Sequence, residues 1–337
     1  MDSITHIVLG AAIGEAMLGK KIGKKAMLWG ALANSLPDID VLANFLTNPV
    51  NALLIHRGIT HSFFFALVIS PLLAYIFYKT HLKCSLNYKN WLMFFLVAII
   101  AHDMIDVCTA YGTGLLEPFS HQRFSTNSIF VADPFYTLPL LISFITLLIL
   151  KKNSIKRAIV NKTAIILSTA YLMFTFINKI NVDKIVEQNM NNQKIAHSGL
   201  MTTPAPLNNI LWNVIVKTDS GYFTGYYSDF DADKKISFRY VPRNENLLKN
   251  FPDDPVIEKL KFFSNGYYSI NKKDSDEIYF NDLRFGQAAG WAKVDSRFVF
   301  SYRLKNIDDN VVPLRRTDLD VSWGEAFKSL AKRIKGD

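Results

Sequence analysis

The chain reads as a mainly α-helical membrane bundle carrying a smaller C-terminal α+β soluble domain, and three features of the sequence lead there. Apolar runs of helical length crowd residues 1–180. Charge is scarce in the same stretch, which holds eight of the 29 acidic residues and 15 of the 38 basic ones. Beyond it the composition is that of a soluble domain, with short aromatic-rich runs between turn residues. The expected division is a membrane-embedded bundle over 1–180, a linker over 181–194 and an α+β domain over 195–337.

Four apolar runs, Phe63–Tyr78, Trp91–Val107, Phe135–Leu150 and Thr163–Asn178, each fall somewhat short of the roughly 20 residues that cross a hydrocarbon core of about 30 Å. One such run alone is equally a buried helix of a soluble protein. Four of them, joined by lysine-bearing loops, are explained by a membrane. Two further apolar helices, Ile4–Leu18 and Ala26–Leu36, are split by a basic turn over 19–25 and are too short to span comfortably.

Lysines mark three loops, 20–25, 79–90 and 151–162, which alternate onto one side of the bundle. By the positive-inside rule that side is cytoplasmic. The N-terminus, the segment 37–62, the loop 108–134 and everything after about residue 180 then fall outside. The expectation is a multi-pass protein of the cell (inner) membrane with an extracytoplasmic C-terminal domain. These loops also account for much of the net charge of +9, so no nucleic-acid partner is expected. The two cysteines, Cys84 and Cys108, make neither a thiolate zinc site nor a disulfide framework and are expected to pack. The N-terminus lacks the basic region of a secretory signal and reads as retained.

In the C-terminal part, strands are expected at Leu211–Lys217, Tyr222–Tyr227, Ile236–Val241 and Phe298–Leu304, with a helix at Pro255–Phe263. Nothing in this domain assigns it a role, and a protein partner is one reading.

Chemistry concentrates in five short segments of the first half. They are Asp2 to His6, Leu36 to Asp40, His56 to Ser62, His102 to Asp106, and Asp133 with Pro134, and together they hold four of the seven histidines. A charge in hydrocarbon costs on the order of 2.5–3.5 kcal/mol on insertion scales, so it persists where it is paired, hydrated or bound to a metal. His102 and Asp106 stand four apart on one helical face, close enough to share a divalent ion; a hydrogen-bonded packing pair is the bland alternative. Asp103 points elsewhere on the same helix. His56 and His61 flank a turn in which Thr60 or Ser62 caps the next helix, a role that leaves both imidazoles and Arg57 unexplained. Asp38 and Asp40 follow Pro37 and turn to opposite sides, one toward a metal and one toward a neighbouring imidazole, unless the turn is merely solvated. His6 is an interfacial histidine or a ligand, and Asp133 a helix cap or a ligand. His81, His121 and His197 lie outside the pattern. Imidazole with carboxylate and no useful thiolate suits zinc or another first-row divalent ion.

Taken together, these segments resemble the LexA-binding, inner-membrane-associated metal-dependent hydrolases. The resemblance also covers Tyr111-Gly112-Thr113, Asp133 to Pro139 and, in the C-terminal half, Thr203 to Pro206. It implies a membrane protein with a divalent-metal site. Through a more distant similarity to zinc-dependent phospholipases C and nucleases, it implies His6, Asp38, His56, His61, His102, Asp106 and Asp133 as ligands of one to three zinc ions. Those enzymes are soluble, so their substrates do not carry over. The function expected is hydrolysis of a phosphoester in a lipid or lipid-linked substrate, with Arg57 holding a phosphoryl oxygen and Asp40 as outer carboxylate or general base. Two other readings stand beside it: a non-catalytic membrane protein whose metal only locks the helices, and an amidase or peptidase, whose commonest type the lack of His-Glu-x-x-His disfavours.

Overall fold

A computed structural model describes residues 1–81, 86–251, 254–272, 277–293, 296–307, 310–315 and 322–336; Cys84 lies outside them. The chain divides into two compact units. The first comprises Met1–Phe45, Ile55–Ile177 and Pro206–Asn208, and the second Leu46–Leu54, Asn178–Ala205 and Asn209–Asp337.

The first unit is built on a helical hairpin. Helix α1 (Ser3–Ile22) starts where the Asp2 side chain accepts the amides of Ile4 and Thr5, and it ends at Gly23, whose φ of 64° suits glycine. Helix α2 (Lys25–Asn34) runs back along it. Gly10 and Gly14, four apart, meet Gly30 and Ala26 so closely that a Cβ on Gly14 would lie 2.0 Å from the Ala26 carbonyl oxygen. Small residues at this spacing let two helix backbones touch, a common packing device between apolar helices. Pro37 then opens a 3-10 segment (Pro37–Leu42), followed by the short helices α3 (Ala43–Leu46) and α4 (Pro49–Ile55).

A 3-10 turn (Ile59–His61) leads into α5 (Phe63–Thr80), capped by Ser62, whose Oγ accepts the Phe65 amide at 3.1 Å. Helix α6 (Tyr88–Val107) begins with a capping box between Asn87 and Asn90. Helix α7 (Pro134–Ile149) has Asp133 as its cap, and α8 (Ile155–Asn192) runs 38 residues without a glycine or proline. The helices coincide with the apolar runs of the sequence. Of these, α5, α6 and α8 are long and apolar enough to cross a membrane, while α7, at 16 residues, is shorter. Residues 181–192, read as part of a linker, are the last turns of α8.

This unit buries polar and charged side chains alongside its apolar core and turns an apolar face outward. Leu67, Val68 and Leu72 of α5 and Ile166, Met173 and Ile177 of α8 face outward. Glu15, Asn34, Asn161 and Arg157 are buried. Arg157 grips both Glu15 oxygens, at 2.8 and 2.6 Å, and the Leu147 carbonyl at 2.6 Å, while the Asn161 amide donates to the Ala12 carbonyl at 2.9 Å. Water reverses this arrangement and a bilayer requires it. Basic loops gather at one end: Lys152 Nζ donates to the Lys21 carbonyl at 2.9 Å, Lys21 Nζ to Asn90 at 3.4 Å, and Lys24 Nζ to the Leu148 carbonyl.

The second unit holds two antiparallel four-stranded meanders. The first is β1 (Gly199–Pro204), β2 (Leu211–Lys217), β3 (Gly221–Ser228) and β4 (Arg239–Pro242); the second is β5 (Tyr268–Lys272), β6 (Ile278–Gln287), β7 (Phe298–Ile307) and β8 (Asn310–Arg315). Helix α9 (Pro255–Phe263) lies between them in sequence and α10 (Trp323–Ile334) follows. Val182, Val186 and Met190 of α8 are buried with Trp212, Val214 and Val216 of β2. The strand expected from Ile236 starts only at Arg239. The Ile236 amide donates instead to Asn189 at 2.8 Å and its carbonyl accepts from Gln193 at 3.0 Å, so side chains from the end of α8 take the groups a ladder would use. Val50 of α4 is buried with Leu260, Ile270 and Tyr302, and Lys259 Nζ donates to Asn51 at 2.8 Å.

The hairpin geometry makes a direct prediction. Gly14→Val should destabilise the purified protein by about 1–3 kcal/mol, as overpacking does, and lower its thermal midpoint in detergent. Gly324→Ala, where nothing among the described residues lies within 4 Å of the added carbon, serves as the control and should leave the midpoint nearly unchanged.

Candidate metal centre

Four elements of the first unit deliver side chains to one place, at the end of the bundle opposite the basic loops. His6 comes from the first turns of α1, Asp38 and Asp40 from the 3-10 segment, His56, Arg57 and His61 from the turn before α5, and His102 and Asp106 from the last turns of α6. His6, His61, His102 and Asp106 are fully buried.

The innermost contact sets two imidazoles nitrogen to nitrogen, with His61 Nε2 3.0 Å from His102 Nε2. His102 Nδ1 lies 2.5 Å from the Asn34 carbonyl oxygen, which only accepts, so that ring carries its proton on Nδ1 and a lone pair on Nε2. His61 Nδ1 lies 3.1 Å from Asp40 Oδ2. Asp38 Oδ1 is 3.5 Å from His61 Nε2 and 3.7 Å from His102 Nε2; Asp106 Oδ2 is 3.6 and 3.7 Å from the same two atoms. Tetrahedral ligands bonded at about 2.0–2.1 Å stand about 3.3 Å apart. Two nitrogens and two carboxylate oxygens therefore have the separations of a divalent-metal shell. Asp106 Oδ2 and the ring nitrogens of His6 make no well-aligned hydrogen bond among the described residues, although Arg57 Nε lies 2.9 Å from the first and Asp106 Oδ1 lies 3.2 Å from His6 Nε2.

Around these four atoms stand their supports. Asp40 is saturated: Oδ1 accepts from His56 Nδ1 at 2.8 Å, and Oδ2 accepts from the Arg57 amide at 3.0 Å and Thr60 Oγ1 at 2.7 Å while facing His61. That is the position of a carboxylate that orients an imidazole rather than of a free base. Arg57, left-handed at φ 59°, turns its guanidinium inward, with Nε 2.9 Å from Asp106 Oδ2 and Nη1 donating to Thr109 Oγ1 at 2.7 Å. The sequence offered this fork to a phosphoryl oxygen; in the fold it faces Asp106. His6 stacks on His102 at 3.7 Å between ring centroids, and its Nε2 is 3.2 Å from Asp106 Oδ1, which also meets the Met1 amine. Asp106 thus faces the four-atom cluster with one oxygen and His6 with the other.

Asp133 stands apart from the cluster. Its Oδ1 accepts the Phe135 amide at 2.9 Å and its Oδ2 the Tyr171 hydroxyl at 2.8 Å, which leaves it a cap tied to α8. Two residues escaped the sequence reading. Asn34 ends α2, supplies the carbonyl that orients His102 and donates its amide to the His6 carbonyl at 3.2 Å; its one signal was an amide closing an apolar helix. Asp103, set aside on helical spacing, is fully buried, with neither oxygen hydrogen-bonded among the described residues.

The charge balance follows from these contacts. Burial works against the Asp38 and Asp40 carboxylates, but hydrogen bonds from His61 to both, and from His56 to Asp40, prevail and hold both acids below the usual carboxylate range. Burial likewise lowers His61, yet Asp38 and Asp40 outweigh it and raise the imidazole from 6.5 to about 9. The stabilisation from this imidazolium is full below 6.5 and is lost as pH rises through about 9. An ion on Nε2 must displace that proton.

The fold and the cluster define a helical membrane protein with a buried imidazole and carboxylate site able to hold a metal ion. The model of the YdjM inner membrane protein family matches residues 1–182, and the chain belongs to that family. It is 33% identical over 123 residues to the inner membrane protein YbcI of Escherichia coli (strain K12), covering 36% of this chain and 69% of that one. It is 25% identical over 298 residues to the uncharacterized protein YfhP of Bacillus subtilis (strain 168), covering 85% of this chain and 87% of that one. No solved structure matches. Family and apolar helices together assign an inner-membrane location.

Two measurements bear on the ligand set. Calorimetric titration of zinc at pH 7, in buffers of different ionisation enthalpy, should show about one proton released per ion, with affinity rising as pH approaches about 9; release of no proton would contradict the His61 assignment. Asp133→Ala should cost about 1 kcal/mol of stability, as loss of a cap does, and leave the metal content of the purified protein unchanged. Loss of an ion in that variant would return Asp133 to the ligand set.

Proposed function

We propose that the protein is a membrane-bound metal-dependent hydrolase acting on phosphoesters of lipid or lipid-linked substrates at the extracytoplasmic face. The observation that carries this reading is the quartet His61 Nε2, His102 Nε2, Asp38 Oδ1 and Asp106 Oδ2, with five of its six separations between 3.0 and 3.7 Å. These residues would hold the ion, with His6 beside it on the second oxygen of Asp106. A bound divalent ion of this kind lowers the pKa of water and neutralises phosphoryl charge.

The remaining work falls to the chain's own groups. Asn34 fixes the tautomer of His102, Asp40 that of His61, and Arg57 holds Asp106 in place. His56 is partly exposed and gives its Nδ1 to Asp40, so its Nε2 carries the lone pair that takes or returns a proton. In this reading His56 carries the proton and Asp40 orients it, although these two with Asp38 also have the spacing of a group that could hold an ion. The basic loops at the opposite end support a cytoplasmic assignment for that end, hence the extracytoplasmic site.

One observation favours a second reading, a structural ion that locks α1, α5 and α6. His61, His102 and Asp106 are wholly buried, as in closed structural sites, and only Asp38 among the four is partly exposed, at 22%.

The two readings separate in one experiment. The protein, purified with its metal, is assayed against phospholipids and polyprenyl phosphates before and after chelation, alongside His61→Ala and Asp40→Asn. The hydrolase reading expects hydrolysis that is lost on chelation and in His61→Ala. It expects metal affinity about 10–100-fold weaker in Asp40→Asn, with activity partly restored by excess zinc. A folded, metal-loaded protein inert toward every substrate, yet losing thermal stability on chelation, would favour the structural ion.

A further inference from the structure

The loops that bring the ligands together carry an apolar edge that the ligand chemistry does not need. In a 3-10 helix, side chains three apart eclipse one another. In the segment Pro37–Leu42, Ile39 and Leu42 stand on one such edge, exposed by 53% and 54%, with Val41 beside them, and Phe45 of the following α3 extends the apolar edge at 83% exposure. Asp40, between them in sequence, is turned in and buried. From residue 37 to residue 55 the only charged side chains are Asp38 and Asp40. The sequence therefore buries Asp40, leaves Asp38 partly exposed and turns its hydrocarbon outward on a segment that lies outside every candidate span.

A second loop repeats the arrangement. Phe119 is 81% exposed, and its ring meets that of Phe64 edge to face at 5.7 Å between centroids. Phe64 belongs to the outward face of α5 that continues through Leu67 and Val68. The Phe63 amide donates to the Leu115 carbonyl at 3.1 Å, which fastens this loop to the first turn of α5. The 3-10 segment is fastened to the same place, since Asp40 accepts from the Arg57 amide and from Thr60, six and three residues before α5 begins. Both apolar edges are thus anchored to the mouth of a helix whose outer face already needs lipid; Phe119 continues that face through Phe64, and lipid is the occupant that fits the neighbouring 3-10 edge as well.

We propose that the Ile39, Leu42 and Phe45 edge together with Phe119 forms an interfacial wedge, inserted at the headgroup boundary of the leaflet that α5 enters. The wedge sets Asp38 and His56, the partly exposed members of the centre, at headgroup depth. The site then receives its substrate from the leaflet: an amphiphile whose anionic headgroup reaches the ions while its chains stay in hydrocarbon. The insertion rests on the membrane-spanning reading of α5 alone; the substrate class rests on the hydrolase reading.

Insertion is read without any assay of activity. Nitroxides are attached to the full chain through Phe45→Cys, Phe119→Cys and, as an exposed control, Lys235→Cys, each in a Cys84→Ser, Cys108→Ser background. The labelled proteins are placed in nanodiscs of phosphatidylethanolamine and phosphatidylglycerol. Labels at 45 and 119 should relax faster with oxygen than with an aqueous nickel chelate, and the label at 235 the reverse. Labels at 45 and 119 that respond to nickel as 235 does would overturn the wedge. So would labels shielded from both agents, which would indicate cover by protein.

The substrate half has its own readout. Leu42→Ser combined with Phe45→Ser should lower kcat/KM on vesicle phospholipid about tenfold or more and leave hydrolysis of a soluble phosphodiester, bis-p-nitrophenyl phosphate, unchanged. An equal fall on both substrates would remove the leaflet route. Absence of hydrolysis from the parent protein would overturn the hydrolase reading while the nitroxide result still decides insertion.

Discussion

Two imidazole nitrogens facing each other at 3.0 Å are the contact around which the first unit is arranged. His102 gives its Nδ1 to a backbone carbonyl and so aims a lone pair at its neighbour, which only a proton or a metal ion can make favourable. The surrounding carboxylates of Asp38, Asp40 and Asp106 favour a positive charge at that place. Between apolar helices, where an isolated charge costs several kcal/mol, these groups tolerate burial because each is next to another. Helix packing serves the same end. The glycines between α1 and α2 bring Asn34 against His6 and within reach of His102, so a backbone contact fixes a ring.

The centre has two layers with different demands. Four atoms, five of whose six separations lie between 3.0 and 3.7 Å, face one another, and Arg57 Nε approaches one of them, Asp106 Oδ2, at 2.9 Å. The groups behind them must be saturated: Asp40 accepts from one backbone amide and several side chains, and the Arg57 guanidinium is shared between Asp106 and Thr109. Saturation leaves Asp40 and Arg57 engaged with neighbouring side chains. It also explains why His56, held at one nitrogen and partly exposed, is the better candidate for moving a proton.

Much of this was legible in the sequence because lipid imposes simple rules. Apolar runs gave the helices, and the lysine loops gave an end of the bundle; the structure brings those loops together through Lys21, Lys24 and Lys152. Ligand types at the other end gave the cluster, since His6, Asp38, His61, His102 and Asp106 do converge. What stayed hidden depended on single side-chain directions. Asp133 had the composition of a ligand and the position of a cap, and only the Tyr171 hydroxyl shows how its second oxygen is used. Arg57 turns inward because its backbone is left-handed, which no spacing reveals. Asn34 acts through its carbonyl, a group every residue has. Val50 and Asn51 belong to the second unit because an apolar face of α4 packs with Leu260 and Ile270, far along the chain.

The most direct test of the centre is the zinc K-edge absorption spectrum of the purified protein loaded with one equivalent of zinc. The geometry predicts four nitrogen or oxygen neighbours at about 2.0–2.1 Å, with outer-shell scattering from two imidazoles, those of His61 and His102. A spectrum without imidazole scattering, a six-oxygen shell, or failure to retain zinc at all would contradict it.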